Sequence, residues 1–366
     1  MSQLVAPTRD GAGWRRDYLL LVVLAVVIGV TALVASVALD QPIADPEGSF
    51  LGPSWVRLPV LCGGAIILDL VPRALWQGRL RPRRTVAAVR ERVRTHWTGA
   101  RLKLVVLGIS CFYVIYVSYR NLKSLLPLLR DVKYDRELRV LDRAMLFGED
   151  PASLLHDLLG TDLSAHVLSA VYLAYIPLVA ILVTVWLVWS NNIGYGWWFV
   201  TAQGIAWTLG TVSYYMLPTL GPGIMYPSLV SDLTTTGASD LMDSLVYARH
   251  GFLWADADYQ GVAGFASLHT AIALLWALMV QYTVRSRAIR VVFWVNFGLT
   301  VVATLYFGWH YIGDDLGGIA IALVAFYLGA VATGHRFVPG RLAERSPAPE
   351  PADDPGTARD LEPARS

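Results

Sequence analysis

What most limits the folds open to this chain is a succession of apolar runs, each close to the roughly 20 residues a helix needs to cross a bilayer. They lie at about 18–39, 55–76, 102–119, 167–189, 197–217, 264–284, 290–309 and 316–334. In lipid, backbone N–H and C=O groups must satisfy one another, and continuous apolar runs of this length do so as helices. Composition agrees. Of 366 residues, 55% are hydrophobic and 16% charged, where a soluble domain carries about 25% charge. The expected fold is an all-α integral membrane protein of about eight transmembrane helices. Cys62 and Cys111 sit inside apolar runs and read as small core residues, so neither a disulfide framework nor a metal site is indicated. The first run shows no small-residue cleavage site and is expected to remain as a span.

Charge placement orients the spans. An even number of crossings puts both termini on one side. That side carries the 1–17 segment, the arginine-rich stretch 77–103, the 285–290 turn and the tail, which with Arg73 at the end of the second span hold 21 of the 30 Lys and Arg side chains. The positive-inside rule makes it cytoplasmic. The expected organisation is a cytoplasmic N-terminus (1–17), two spans with a basic loop (18–101), a membrane core (102–334) and a disordered tail rich in Pro, Ala, Asp and Arg (335–366). The basic loop reads as a topology determinant or a contact for anionic lipid heads, not as a nucleic-acid site. Asp69, within the second span, is expected to pair with Arg73 one turn on. The 120–166 segment is expected to include an amphipathic helix whose Leu138, Leu141, Met145 and Leu146 pack on the bundle rim or wall a lipid path.

The chemistry concentrates between Gly264 and Gly318. GFASLHTA opens one apolar run, a basic turn follows, and a second run returns to WHYIGDDLGG. His269 and His310 are 41 positions apart, the length of one helix across, a turn and one helix back. Both imidazoles therefore belong at one membrane face, which the charge rule makes the outer one. Ionisable groups placed there are costly and usually functional. Asp314 is four residues beyond His310, close enough to orient its ring and to stabilise its cationic form. A second histidine suits protonation of a leaving oxygen. Ser267, at the start of its helix, offers a hydroxyl and free N–H groups to an anion. Asp315 reads as a solvated or helix-capping carboxylate. His96, His156, His166, His250 and His335 show no pairing motif.

These residues resemble a known family. FASLHTA and ATLYFGWHYIGDDLGG look like the second and third signatures of the type-2 phosphatidic acid phosphatase superfamily. They are most similar to its branch containing fungal inositol phosphorylceramide synthase and related sphingolipid synthases. Ala266 and Leu268 stand where phosphatases carry Pro and Gly, and Ala303 and Thr304 replace a Ser-Arg pair. YMLPTLGPG, Tyr215 to Gly223, occupies the place of the first signature without its lysine and arginine. YDRELRVLDRAMLFGEDP, Tyr134 to Pro151, is similar to a segment of bacterial members. The resemblance covers about 102–334 and implies a six-helix phosphatase-like core with two extra N-terminal spans. It implies His310 as nucleophile forming a phosphohistidine, Asp314 as its orienter, His269 as general acid and then base, and Ser267 as a phosphate ligand. It implies no cofactor and no metal.

The absent cations weigh on substrate choice. A phosphomonoester approaches a dianion near neutral pH and favours cationic clamps, whereas a phosphodiester is a monoanion. The missing cations tilt the reading toward a phosphodiester donor, and the resemblance at Ser267–His269 and Ala303–Thr304 implies a plasma-membrane phosphotransferase that moves a phospholipid headgroup phosphate to a lipid alcohol in the outer leaflet. Arg120, Lys123, Arg130 and Arg249 are the candidates to replace the missing cations, with Arg120 otherwise a snorkelling interface residue. A lipid phosphate or polyprenyl pyrophosphate phosphatase on the same scaffold is the runner-up, and a non-catalytic lipid-binding or transport protein the third reading. The partners are lipids and the membrane, not nucleic acid. The donor headgroup and the oligomeric state stay open.

Overall fold

The computed structural model describes residues 4–5, 17–45, 53–78, 81–190, 192–254 and 264–337. The elements run α1 (Leu19–Ala38), α2 (Ser54–Gly78), α3 (Pro82–Thr95), α4 (Gly99–Leu129), α5 (Asp135–Met145), α6 (Pro151–Leu159), α7 (Leu163–Trp189), α8 (Ile193–Met216), α9 (Pro222–Met225), α10 (Gly237–Trp254), α11 (Leu268–Thr283), α12 (Arg287–Tyr306) and α13 (Ile312–Ala332). One two-residue antiparallel pairing, Leu4–Val5 with Arg336–Phe337, is the extended structure among the described residues. The expected tail beyond Phe337 lies outside them.

A helix occupies each of the eight expected spans, and the fold is all-α. Six are long and apolar enough to cross a membrane: α1, α2, α4, α7, α12 and α13. Helix α11 is apolar but has 16 residues. Helix α8 is diluted by Thr201, Gln203 and Thr211, all buried. Those polar groups are tolerated because α8 packs against α4, α7, α11 and α13 rather than against lipid. Helix α1 does the reverse, exposing Val23, Val26, Val30, Leu33 and Val37 along the outside of the bundle. An exposed stripe of that composition fits a hydrocarbon solvent.

One boundary and one pairing differ from expectation. Helix α4 runs to Leu129 and not to residue 119, so Arg120 and Lys123 stand on a helix and not in a loop. Pro127 does not stop it, since one lost hydrogen bond in the last turn is cheap where carbonyls are already unpaired. Asp69 is held chiefly by Arg92 of α3, at 2.8 and 3.0 Å, with Arg73 at 3.7 Å. Trp97 Nε1 donates to the same carboxylate. The basic α3 thus folds back on α2 through a charge pair that periodicity within one helix does not reveal.

Helix α5 sets Leu138 and Leu141 against Gly313 at the start of α13, as expected of a helix on the bundle rim, but its deepest side chains are carboxylates. Asp135 and Asp142 are buried, while Leu141 and Met145 are 46% and 44% exposed. The apolar spacing is genuine, but the carboxylates find backbone donors inside, and a satisfied buried acceptor outweighs a half-exposed leucine.

Candidate active site

The α11–α12 hairpin does what its length requires. Helix α11 leaves from Leu268, α12 returns to Tyr306, and α13 departs again from Ile312. The His269 and His310 rings meet at one end of the bundle with centroids 6.3 Å apart. The two rings are tilted 54° to one another.

His310 is 2% exposed and Asp314 is fully buried. The Nδ1 of His310 lies 3.1 Å from Asp314 Oδ2, and the same oxygen accepts the Tyr311 backbone N–H at 3.1 Å. A proton held on Nδ1 by the carboxylate leaves Nε2 with its lone pair, the form a nucleophilic imidazole needs. The backbone fixes this pose: a single turn separates His310 from Asp314 as α13 begins.

His269 is half-buried on the first turn of α11. Its ring stacks on Tyr172 at 4.5 Å and 17° and leans on Tyr175 at 4.1 Å, both from α7. Tyr172 stacks in turn on Trp309, the neighbour of His310, at 5.2 Å and 9°. An aromatic stack therefore sets the separation of the two histidines. Tyr172 and Tyr175 were not singled out from sequence. The available signal was a pair of tyrosines three residues apart in an otherwise apolar span.

Ser267 caps α11. Its side chain accepts the Thr270 N–H at 3.3 Å and donates to Thr270 Oγ1 at 3.2 Å, and it is fully buried. Its hydroxyl is thus already engaged in holding the helix start. Asp315 is neither solvated nor a cap. It is 3% exposed and accepts hydrogen bonds from Thr270 of α11 and Thr304 of α12. The carboxylate stays inside because two threonine hydroxyls replace the water it loses. Thr304 stands at one of the positions where the phosphatase signature has Ser-Arg, so here that position serves the scaffold.

A collar around the histidines is built from the 134–151 segment. Asp135 accepts the N–H groups of Leu220 and Gly221 at 3.0–3.1 Å and the Tyr311 hydroxyl at 3.1 Å. Asp142 accepts the Ile312 N–H at 3.1–3.2 Å, capping α13 from another helix. Burial raises both carboxyls above their ordinary range, Asp142 to about 6. Asp150 is gripped by Arg139 at 2.8 Å through two nitrogens and by Arg143 at 3.1 Å; the Arg139 bonds lower its pKa. Gly221, at φ +92°, lies where a Cβ would collide with the Trp309 carbonyl oxygen. The Pro-Gly loop can press on the His310 loop only because that position is glycine.

Of the candidate cations, Lys123 lies inside the bundle, its ammonium 5.9 and 5.7 Å from the Tyr119 and Tyr214 ring centroids. Lys123 and Arg249 share a narrow cleft with Arg130 and Lys133, bordered by Pro218 to Leu220. Arg120 is not on that cleft. Four basic residues from α4, the following loop and α10 thus border the Pro-Gly loop, which itself lacks Lys and Arg. His156 bonds the Tyr306 carbonyl at 2.8 Å, a scaffold role. Among the described residues no cluster of His, Cys, Asp and Glu could hold a metal ion.

A family model described as PAP2 superfamily matches residues 136–328, just over half of the chain. Neither the curated proteins nor the solved structures compared with the chain gave a match. The match begins in the α5 collar, ends within α13 and spans both histidine motifs. The chain belongs to the PAP2 superfamily and is an enzyme of its phosphatase or phosphotransferase type.

Proposed function

We propose that this enzyme is a lipid phosphotransferase resembling inositol phosphorylceramide synthase, working at the outer leaflet of the plasma membrane through a phosphohistidine. The observation that carries the reading is the facing pair of rings 6.3 Å apart, with Asp314 on Nδ1 of His310. In the proposed reaction, His310 Nε2 attacks the phosphorus of a phospholipid donor. The bond from phosphorus to the leaving oxygen breaks, and His269 gives that oxygen its proton. Asp314 stabilises the imidazolium character that develops on His310. In the second half, His269 takes the proton from an acceptor hydroxyl, whose oxygen displaces His310 from phosphorus. The half-reactions are mirror images, so one histidine serves as acid and then as base.

The sequence features at Ala266, Leu268, Ala303 and Thr304 support a synthase-like transferase. One structural observation favours the runner-up, a lipid phosphate or pyrophosphate phosphatase. The cleft of Lys123, Arg130, Lys133 and Arg249 offers more positive charge than a monoanionic diester needs.

The experiment is turnover by the purified full chain with phosphatidylinositol, with and without ceramide, alongside phosphatidic acid. Product formation that requires ceramide supports the transferase. Free phosphate released from phosphatidic acid without an acceptor supports the phosphatase. No turnover of any lipid, with a His310→Ala variant indistinguishable from the parent, supports the non-catalytic reading.

A further inference from the structure

The end of the bundle opposite the histidines holds a second feature. There the ends of α7 and α11 meet the start of α12 around a cavity of about 590 Å³. Its walls include Trp186, Trp189, Ser190, Tyr282, Arg285 and Arg290. Helix α11 has 16 residues, so at 1.5 Å per residue the cavity lies about 24 Å from His269. It is separate from the catalytic site.

Its electrostatics are one-sided. Two arginines line it and no Asp or Glu does. Arg290 Nε donates to the Val284 carbonyl at 2.7 Å, which anchors the guanidinium without neutralising it. Among the described residues neither arginine forms an ion pair with a carboxylate. A third guanidinium adjoins the wall: buried Arg101 donates to the Ser190 carbonyl at 2.7 Å and to its hydroxyl at 3.3 Å. Tryptophan and tyrosine favour the headgroup level of a bilayer, where one edge is apolar and the other wet. Guanidinium forks match phosphate oxygens, and basic pockets between spans suit anionic headgroups.

We infer that this cavity seats the phosphate headgroup of an anionic glycerophospholipid from the leaflet opposite the active site. Arg285 and Arg290 hold the phosphate, and the acyl chains run against Trp186 and Trp189. The lipid bridges the end of α7 to the α11–α12 turn, and so braces the hairpin whose other ends carry His269 and His310. The inference does not depend on which lipid the enzyme acts upon.

The test uses the full chain, delipidated in mild detergent and supplied with dioleoylphosphatidylglycerol or dioleoylphosphatidylcholine. Native mass spectrometry reads bound lipid, and brominated acyl chains report proximity through tryptophan quenching. The expected result is one saturable phosphatidylglycerol adduct, at least about tenfold tighter than phosphatidylcholine. An R285Q/R290Q double variant loses it, an R285K/R290K variant retains much of it, and R83Q/R84Q in α3 leaves it in place. Equal retention of the two lipids by the parent protein overturns the inference, even where the glutamine variant fails to fold. So does an adduct unchanged in R285Q/R290Q, or one abolished by R83Q/R84Q.

Discussion

The backbone N–H of Ser267 donates to the carbonyl oxygen of Asp314 at 2.9 Å, joining the two histidine motifs directly. The residue two before His269 and the residue four after His310 thus share one hydrogen bond. Gly318 permits this approach, since a Cβ there would collide with the Ser267 carbonyl oxygen. The relative placement of the two imidazoles is consequently a property of the α11–α13 contact as much as of either motif.

The Thr270–Asp315 bond is the buried counterpart of that link. A Thr270→Val substitution keeps the shape and removes the donor, leaving a buried carboxylate oxygen short of a partner. Such a loss costs about 1–3 kcal/mol. Thermal unfolding in detergent should move down accordingly, and a Thr270→Ser protein should recover most of the difference.

Asp142 makes stability depend on pH. Its carboxyl is raised from 3.8 to about 6, chiefly by burial, and its bonds to the start of α13 only partly offset this. The folded protein therefore holds a proton on Asp142 that the unfolded chain has released. From Asp142 stability falls as pH rises from about 4 to about 6, and is flat above. An Asp142→Asn variant should lose that descending limb in a series of melting temperatures between pH 4 and pH 7. Asp150 acts in the opposite sense, since Arg139 lowers its pKa: its contribution is present above the unfolded value and is lost as pH falls below it.

Gly221→Ala tests the loop contact. A Cβ would strain a backbone at φ +92° and push on the Trp309 carbonyl beside His310. A displacement of about 1 Å in a reacting group can cost on the order of 100-fold in rate. The expected outcome is a large fall in kcat with the chain still folded by circular dichroism. A variant with parental kcat would show that the loop does not set the position of His310.

Lys123 tests the cation supply. Removing one preorganised charge partner of a transferring phosphoryl group costs on the order of 100-fold in kcat. Lys123→Gln should show a loss of that order, and Lys123→Arg a smaller one. Arg120→Gln, off the cleft, should be much milder. Equal losses at Arg120 and Lys123 would argue for a general surface potential instead of a specific contact.

The spans, the hairpin and the His310–Asp314 pair were legible because each rests on local spacing: 20 residues per crossing, four residues per turn. The α5 collar was not. Asp135 reaches Leu220 and Asp142 reaches Ile312 across 85 and 170 residues, and no periodicity encodes a bond between segments so far apart in sequence. The same holds for Asp69, where a neighbour one turn away in sequence lost to Arg92 from the next helix. Lys123 was visible as a cation at the end of a span, but its place in one cleft with Arg249 depends on how α4 packs in the bundle.

The proposed chemistry stands on His310 as the nucleophile. The direct measurement is to quench the full chain during turnover with a phospholipid donor and to map phosphorylation by mass spectrometry without acid treatment. The expected product is an acid-labile phosphoramidate on the peptide containing His310, absent from His310→Ala, which should also lose turnover. Turnover preserved in His310→Ala, or a phosphorylated residue elsewhere in the chain, would contradict it.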